Sequence, residues 1–358
     1  MWQGRTPASA PFVESDSVST ENDELARNIE SFIAARTGGI AAVSDLKRLT
    51  GGASRETWSL DAIVARDGAK ETLPLILQRD VRGAAKALSR PMEFRLMKAA
   101  FDDGVPAPEP LWVGDETIGK GESFFVRRVD GETLPRRLLR EDIYAEARRA
   151  LPAQLGALLA QIHRIDPAKH GLDPLPAPPG GENPARFEVQ RYEQIFRAIA
   201  PEPHPAFELA FRWLNRHPVV ADEGGPRLLT HGDFRIGNVL FGPEGLRVML
   251  DWELAHIGDP MEDMGFICVR SWRFGGAKPV GGIGDREEFF AAYEAAGGEK
   301  VDPERVRFWE VFGNLRWGII CISQARTYLD GHSNSVELAS IGRRTSETEW
   351  ELLNLIES

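Results

Sequence analysis

The chain has 358 residues and a formal charge of −11, from 43 Lys and Arg against 54 Asp and Glu, with 42% hydrophobic and 27% charged residues. That length suits two domains or one large two-lobed unit, and the composition excludes a disordered, collagenous or disulfide-stapled chain. The acidic balance argues against a protein that coats nucleic acid or an anionic membrane, and no apolar run approaches the ~18 residues that span a bilayer.

Residues 1–19, rich in Ser, Pro and Ala, read as a loose tail without the apolar core of a secretory signal, so a cytoplasmic protein is expected. A helix is expected from Thr20, with Leu25, Ile29, Phe32 and Ile33 at helical spacing and Gly38-Gly39 ending it. Short β runs follow. Residues 46–50 lead into Gly51-Gly52-Ala53-Ser54, and Trp58, Leu60 and Ala62 alternate with polar neighbours as a half-buried strand requires. Arg66-Asp67-Gly68 is a turn, and Leu73, Leu75 and Leu77 alternate on the return, which predicts a β-hairpin. Then come a helix over about 86–101, a Pro-rich connector at 105–110, and β runs at 111–113 and 123–129. Beyond Asp130-Gly131 the pattern is mostly helical, starting with 141–165. A Pro/Gly-rich loop covers 167–184, two more helices reach His217, and a β patch occupies 227–229, 239–241 and 246–250. A glycine-rich loop, a lid or a plain surface loop, separates Phe274 from Asp285 among the last helices. Cys268 and Cys321 lie far apart in apolar runs and read as buried thiols.

The chemistry concentrates in His231-Gly232-Asp233-Phe234-Arg235-Ile236-Gly237-Asn238, followed by Asp251-Trp252-Glu253. A strand ends, a tight loop presents Asp233 and Asn238, and a hairpin returns Asp251 to them. Two carboxylates and an amide oxygen suit Mg²⁺, a hard cation that keeps phosphates and water in its shell. The spacing matches the H-x-D-x-x-x-x-N loop of kinases, with a second Asp downstream.

The runs THGDFRIGNVLF and MLDWELAHIGDPMEDMGF resemble the aminoglycoside phosphotransferase and choline kinase-like family, most of all the phosphotransferase domains associated with acyl-CoA dehydrogenases. The resemblance implies an α+β, two-lobed protein-kinase-like fold: the tail, a small β-rich N-lobe over 20–130, and a larger, mainly helical C-lobe over 131–358. It implies ATP or GTP as co-substrate, Mg²⁺ on Asn238 and Asp251, and Asp233 as the base that accepts the acceptor's hydroxyl proton. His231, Asp259 and Asp263 become structural neighbours of the site, with Asp259 capping the helix near Pro260.

Gly51, Gly52 and Ser54 fall where a nucleotide-covering loop belongs, and Arg127 and Val129 fall at the hinge, where backbone groups meet the adenine edge. Glu93 matches a helix carboxylate that pairs with a phosphate-binding cation. Relatives usually carry a basic residue where Gln78 stands. Arg79 faces the other side of its strand, so it replaces Gln78 only through a bulge or register shift; otherwise the cation comes from elsewhere.

A small hydroxyl-bearing acceptor is expected, since no activation loop precedes Gly258-Asp259-Pro260. Between Met264 and Asp330 nine basic residues balance nine acidic ones, and Arg270, Trp272, Arg273 and Arg316 mix charge with apolar surroundings. That favours an anionic or neutral acceptor, such as the hydroxyacyl compounds implied by the relatives, over an aminoglycoside or macrolide. The rival classes are a two-metal hydrolase built on His231, Asp233, Asp251 and His256, and a nucleotide-binding pseudoenzyme suggested by Gln78.

Overall fold

The computed structural model describes residues 15–49, 55–80, 88–119, 121–200, 202–221 and 224–357. The expectations for Gly51, Gly52 and Ser54, and for the tail through residue 14, lie outside the described residues. The chain divides into two units, one ending at Arg128 and the other comprising residues 86–110 and everything from Val129 on.

The first unit opens with α1 (Ser15–Thr37) and β1 (Ile40–Leu49). The helix therefore starts at Ser15 rather than Thr20, because residues 15–19 contain neither Pro nor Gly to stop it. β2 (Arg55–Arg66) and β3 (Ala69–Asp80) form the expected hairpin, with positive φ at both Asp67 (51°) and Gly68 (78°) in its turn. β4 (Pro110–Val113) and β5 (Ser123–Arg127) complete an antiparallel sheet of order β1-β2-β3-β5-β4. One face is covered by α1: Ile29, Phe32 and Ile33 bury Leu60, Leu75 and Leu77, and Phe32 stacks on Phe125 at 5.2 Å. Each such aliphatic side chain contributes roughly 1.5–3 kcal/mol by leaving water.

The second unit contains α2 (Arg90–Asp102), whose first turn is capped by Ser89 Oγ. Then come α3 (Pro135–Arg140), α4 (Ala145–His163), α5 (Pro184–Ile199) and α6 (Pro205–Arg216). Two short antiparallel ladders follow: β6 (Leu228–Thr230) pairs with β9 (His256–Gly258), and β7 (Val239–Gly242) with β8 (Gly245–Met249). β9 has only three residues and no alternation, so nothing in its sequence marks it. The remaining helices are α7 (Met261–Cys268), α8 (Arg286–Ala295), α9 (Pro303–Leu329), α10 (Val336–Gly342) and α11 (Thr345–Glu357).

α9 is the axis of this unit, touching α5, α6, α7, α10 and α11. Phe308, Trp309, Phe312, Leu315 and Ile319 are buried around it, as expected of a helix enclosed on all sides. Gly265 on α7 permits a close approach to α9, since a Cβ there would lie 2.6 Å from the Glu310 nitrogen. Cys268 and Cys321 are free and buried, and burial pushes both thiols up to about 12. Among the described residues no helix is long and apolar enough to cross a membrane.

Candidate active site

β6 delivers the chain into the loop that carries Asp233. Gly232 has φ +76°, and a Cβ on it would fall 2.2 Å from the Leu254 carbonyl oxygen, so only glycine fits. Both backbone groups of Gly232 are held. Its N–H donates to Asp263 Oδ1 at 2.9 Å, and its carbonyl accepts from Arg316 Nη2 at 2.7 Å. Asp263 Oδ2 also accepts from the His231 N–H at 2.7 Å and faces His163 Nε2 at 3.2 Å. Burial works against the Asp263 charge, but hydrogen bonds from His163 and the loop backbone hold its carboxyl below the usual range.

His231 is fully buried, and its Nδ1 accepts from the Asp233 N–H at 3.2 Å while its Nε2 faces the Leu250 carbonyl at 3.1 Å. Only the neutral tautomer protonated at Nε2 satisfies both, and burial holds its pKa below the ordinary imidazole value. His231 thus braces the loop. The Asp233 carboxylate is oriented from two sides, by Asn238 Nδ2 at 2.6 Å and by Arg235 Nε at 3.1 and 3.2 Å. The Arg235 guanidinium lies 4.9 Å over the Trp272 ring, so Trp272 is a platform for Arg235. Position 235 lies two residues beyond Asp233, and that proximity was its only sequence signal.

The β7–β8 hairpin returns the chain as expected: the Leu250 N–H donates to the Asn238 carbonyl at 2.8 Å. Asp251 follows with φ 68° and ψ 61°, a left-handed conformation uncommon outside glycine that sets its side chain's direction. Asn238 commits its amide nitrogen to Asp233, which leaves Oδ1 as its atom for a cation. The oxygens of Asn238 and Asp251 are the hard donors Mg²⁺ takes, so the residues present fit that ion.

Glu93 is 1% exposed and paired with Arg90, one turn earlier on α2, and Arg90 Nη2 also lies 3.6 Å from Glu253 beside Asp251. The Glu93 carboxylate is the one expected from the sequence, whereas no motif marks Arg90 as its partner. Asp259 Oδ1 accepts from the Met261 N–H at 3.0 Å, which places it at the start of α7, and Oδ2 binds Arg305 and Trp309. Burial raises the Asp259 pKa.

In the first unit, β2 and β3 stay in register from Arg55 opposite Asp80 to Arg66 opposite Ala69, without a bulge. Arg79 therefore stays on the α1 face, paired with Glu56 at 2.5 Å and over the Trp58 ring, and does not reach the face of Gln78. Arg55 does: it shares that face, and its Nη1 donates to Gln78 Oε1 at 3.1 Å. No motif marks that cross-strand contact. Arg127 ends β5 opposite Leu75, and Val129 is the next residue but one.

Of the acceptor candidates, Arg270 and Arg273 line a cavity of about 770 Å³ with Phe274, Asn314, Arg344 and Glu351. Their charges are matched, Arg270 facing Glu351 at 3.5 Å and Arg273 binding Glu310 at 3.0 Å. Arg316 sits elsewhere, 2% exposed, on Gly232 and Glu262. The glycine-rich loop is pinned to its surroundings: the Gly281 N–H donates to the Ile267 carbonyl, and Gly282 packs on Arg273.

A family profile described as "Phosphotransferase enzyme family" matches residues 45–309. Acyl-CoA dehydrogenase family member 10 of Mus musculus is 27% identical over 297 residues, covering 77% of this chain and 27% of that protein. The chain thus spans about a quarter of that curated relative. A provisionally named aminoglycoside phosphotransferase of Ralstonia eutropha superposes with a TM-score of 0.72 at 20% identity, covering 92% of this chain and 98% of the other. An aminoglycoside phosphotransferase solved with ADP and hygromycin B superposes with a TM-score of 0.55 at 17% identity, covering 92% and 98%. The chain belongs to the phosphotransferase enzyme family, with its kinase-like fold: a small antiparallel sheet unit followed by a helical one.

Proposed function

We propose that this member of the phosphotransferase family transfers the terminal phosphoryl group of ATP or GTP to a hydroxyl of a small molecule, a hydroxyacyl compound being the preferred acceptor. One observation carries the reading: the Asp233 carboxylate is aimed by Asn238 and Arg235 on a loop whose preceding residue is fixed at both backbone groups. A base held this firmly reorganises little during transfer, which is where positioning lowers the barrier. Asp233 accepts the hydroxyl proton as the oxygen attacks the γ-phosphorus, and the bond to the leaving diphosphate breaks. Asn238 and Asp251 would hold Mg²⁺, which neutralises phosphate charge.

Arg55 takes the phosphate-pairing part that neutral Gln78 cannot play, with Gln78 orienting its guanidinium, while Arg79 is committed to Glu56. Gly51, Gly52 and Ser54 would meet phosphate oxygens just before Arg55, and the Arg127–Val129 backbone would meet the base. Glu93 acts through Arg90, tying α2 to the segment of Asp251. The two-metal hydrolase finds no support, since both ring nitrogens of His231 and of His256 already face protein partners. Asp233→Ala tests the reading: transfer is lost while nucleotide binding persists, and unchanged turnover would refute the assigned base.

A further inference from the structure

Behind the loop that carries Asp233, the second unit holds a pocket of about 200 Å³ that opens to solvent beside Ala177. Its walls are apolar, built by residues such as Pro176, Pro178, Phe187 and Ile257, but Glu188, Arg191, His256 and Arg316 also line it. His256 Nδ1 lies 3.0 Å from the Leu254 carbonyl and Nε2 lies 3.1 Å from Glu262 Oε2. Both partners only accept, so both ring nitrogens carry protons and the side chain is an imidazolium. Burial opposes that charge, yet the Glu262 carboxylate prevails and raises its pKa to about 9.

The charges around this cavity do not cancel. Arg191 and Glu188 form a two-bonded pair, with Nε–Oε1 at 3.0 Å and Nη2–Oε2 at 2.6 Å, and Glu188 also acts on His256 and Arg316. The single carboxylate of Glu262 is divided between two cations, Arg316 Nη1 at 2.8 Å and His256 Nε2 at 3.1 Å. Asp233, which also acts on Arg316, is paired with Arg235. One positive charge is left in excess, and Arg316 Nε is buried with no hydrogen-bond partner. A buried N–H without an acceptor destabilises a protein unless a ligand completes it.

The ligand that completes this site carries one negative charge and an apolar remainder. A phosphate dianion would overshoot the excess of one, and Glu188 opposes a second negative charge. The catalytic loop adjoins the site: Arg316 holds the Gly232 carbonyl, and a Cβ on Gly232 would lie 3.2 Å from His256 Nδ1. The larger cavity is less suited, because its arginines already face Glu351, Glu310 and Glu347.

We propose that this cavity is the carboxylate subsite of the acceptor, taking the carboxylate of a short aliphatic acid on the Arg316 Nε–H beside the His256 cation. As an acceptor subsite it rests on the phosphotransfer reading; as a carboxylate site it stands alone. Calorimetric titration of the full chain with butyrate and with its neutral isostere butyramide, neither of which has a hydroxyl to phosphorylate, tests it. Butyrate binds saturably, one per chain, and butyramide at least tenfold more weakly. His256→Gln, which removes the excess charge, weakens butyrate at least tenfold. Ala177→Trp, at an exposed lining position, blocks the cavity and does the same without changing any charge.

Absence of butyrate binding, equal binding of butyramide, or unchanged butyrate affinity in Ala177→Trp would overturn the carboxylate site. Transfer to a hydroxy acid that saturating butyrate fails to inhibit would overturn its acceptor role. Butyrate binding without transfer to any acceptor would instead sink the phosphotransfer reading and leave the carboxylate site intact.

Discussion

Replacing Asp263 by Asn probes the clamp on the catalytic loop. The carboxylate faces three donors: the Gly232 N–H at Oδ1, and the His231 N–H and His163 Nε2 at Oδ2. Asn supplies one accepting oxygen and one donating NH₂, so in either orientation at least one donor meets another donor. The better orientation keeps the Oδ2 pair and strands the Gly232 N–H. Leaving a buried donor unpaired costs roughly 1–3 kcal/mol, and losing charge assistance on the remaining bonds adds to it. The Tm should fall by roughly 2–4 °C per kcal/mol lost. Because the strained contact is on the residue preceding Asp233, turnover should fall further, by about tenfold or more, while nucleotide affinity stays near wild type. Calorimetric melting, nucleotide titration and steady-state turnover read the three quantities. Wild-type Tm and turnover in Asp263→Asn would refute the clamp.

Arg55→Gln should lower kcat/KM for the nucleotide by about 10- to 100-fold, the loss of one charge-assisted bond to phosphate, and adding Gln78→Arg should restore most of it by moving the cation across the strand pair. Nucleotide kinetics unchanged in the single variant would remove Arg55 from the phosphate site. His256, whose pKa rises from 6.5 to about 9 in the folded chain, contributes stability that is full below pH 6.5 and lost as pH climbs through about 9. That contribution is on the order of 3 kcal/mol. Denaturant unfolding at pH 6 and pH 9.5 should therefore show a larger drop for wild type than for His256→Gln; parallel drops would contradict the imidazolium.

The hairpin of β2 and β3 and the loop from His231 to Asn238 were legible because both are local. Asp67-Gly68 specifies a turn on its own, and Asp233, Asn238 and Asp251 are linked by one tight loop and one hairpin. What stayed hidden depends on pairs distant in sequence or on register. Arg316 meets Gly232 only because α9 runs through the unit's core, and Arg55 meets Gln78 only because β2 and β3 pair without a bulge. Arg90 is local yet unmarked: it pairs with Glu93 from three residues earlier on the same helix, a spacing that common surface ion pairs share.

The most direct measurement follows labelled γ-phosphate from ATP or GTP, with Mg²⁺, into a panel of hydroxy acids, hydroxyacyl thioesters, aminoglycosides, macrolides and choline-like alcohols, with product identified by mass spectrometry. A phosphorylated hydroxy acid or other hydroxyacyl product is expected from the wild-type chain and none from Asp233→Ala. Label appearing only as free phosphate, or equal product from both chains, would contradict it.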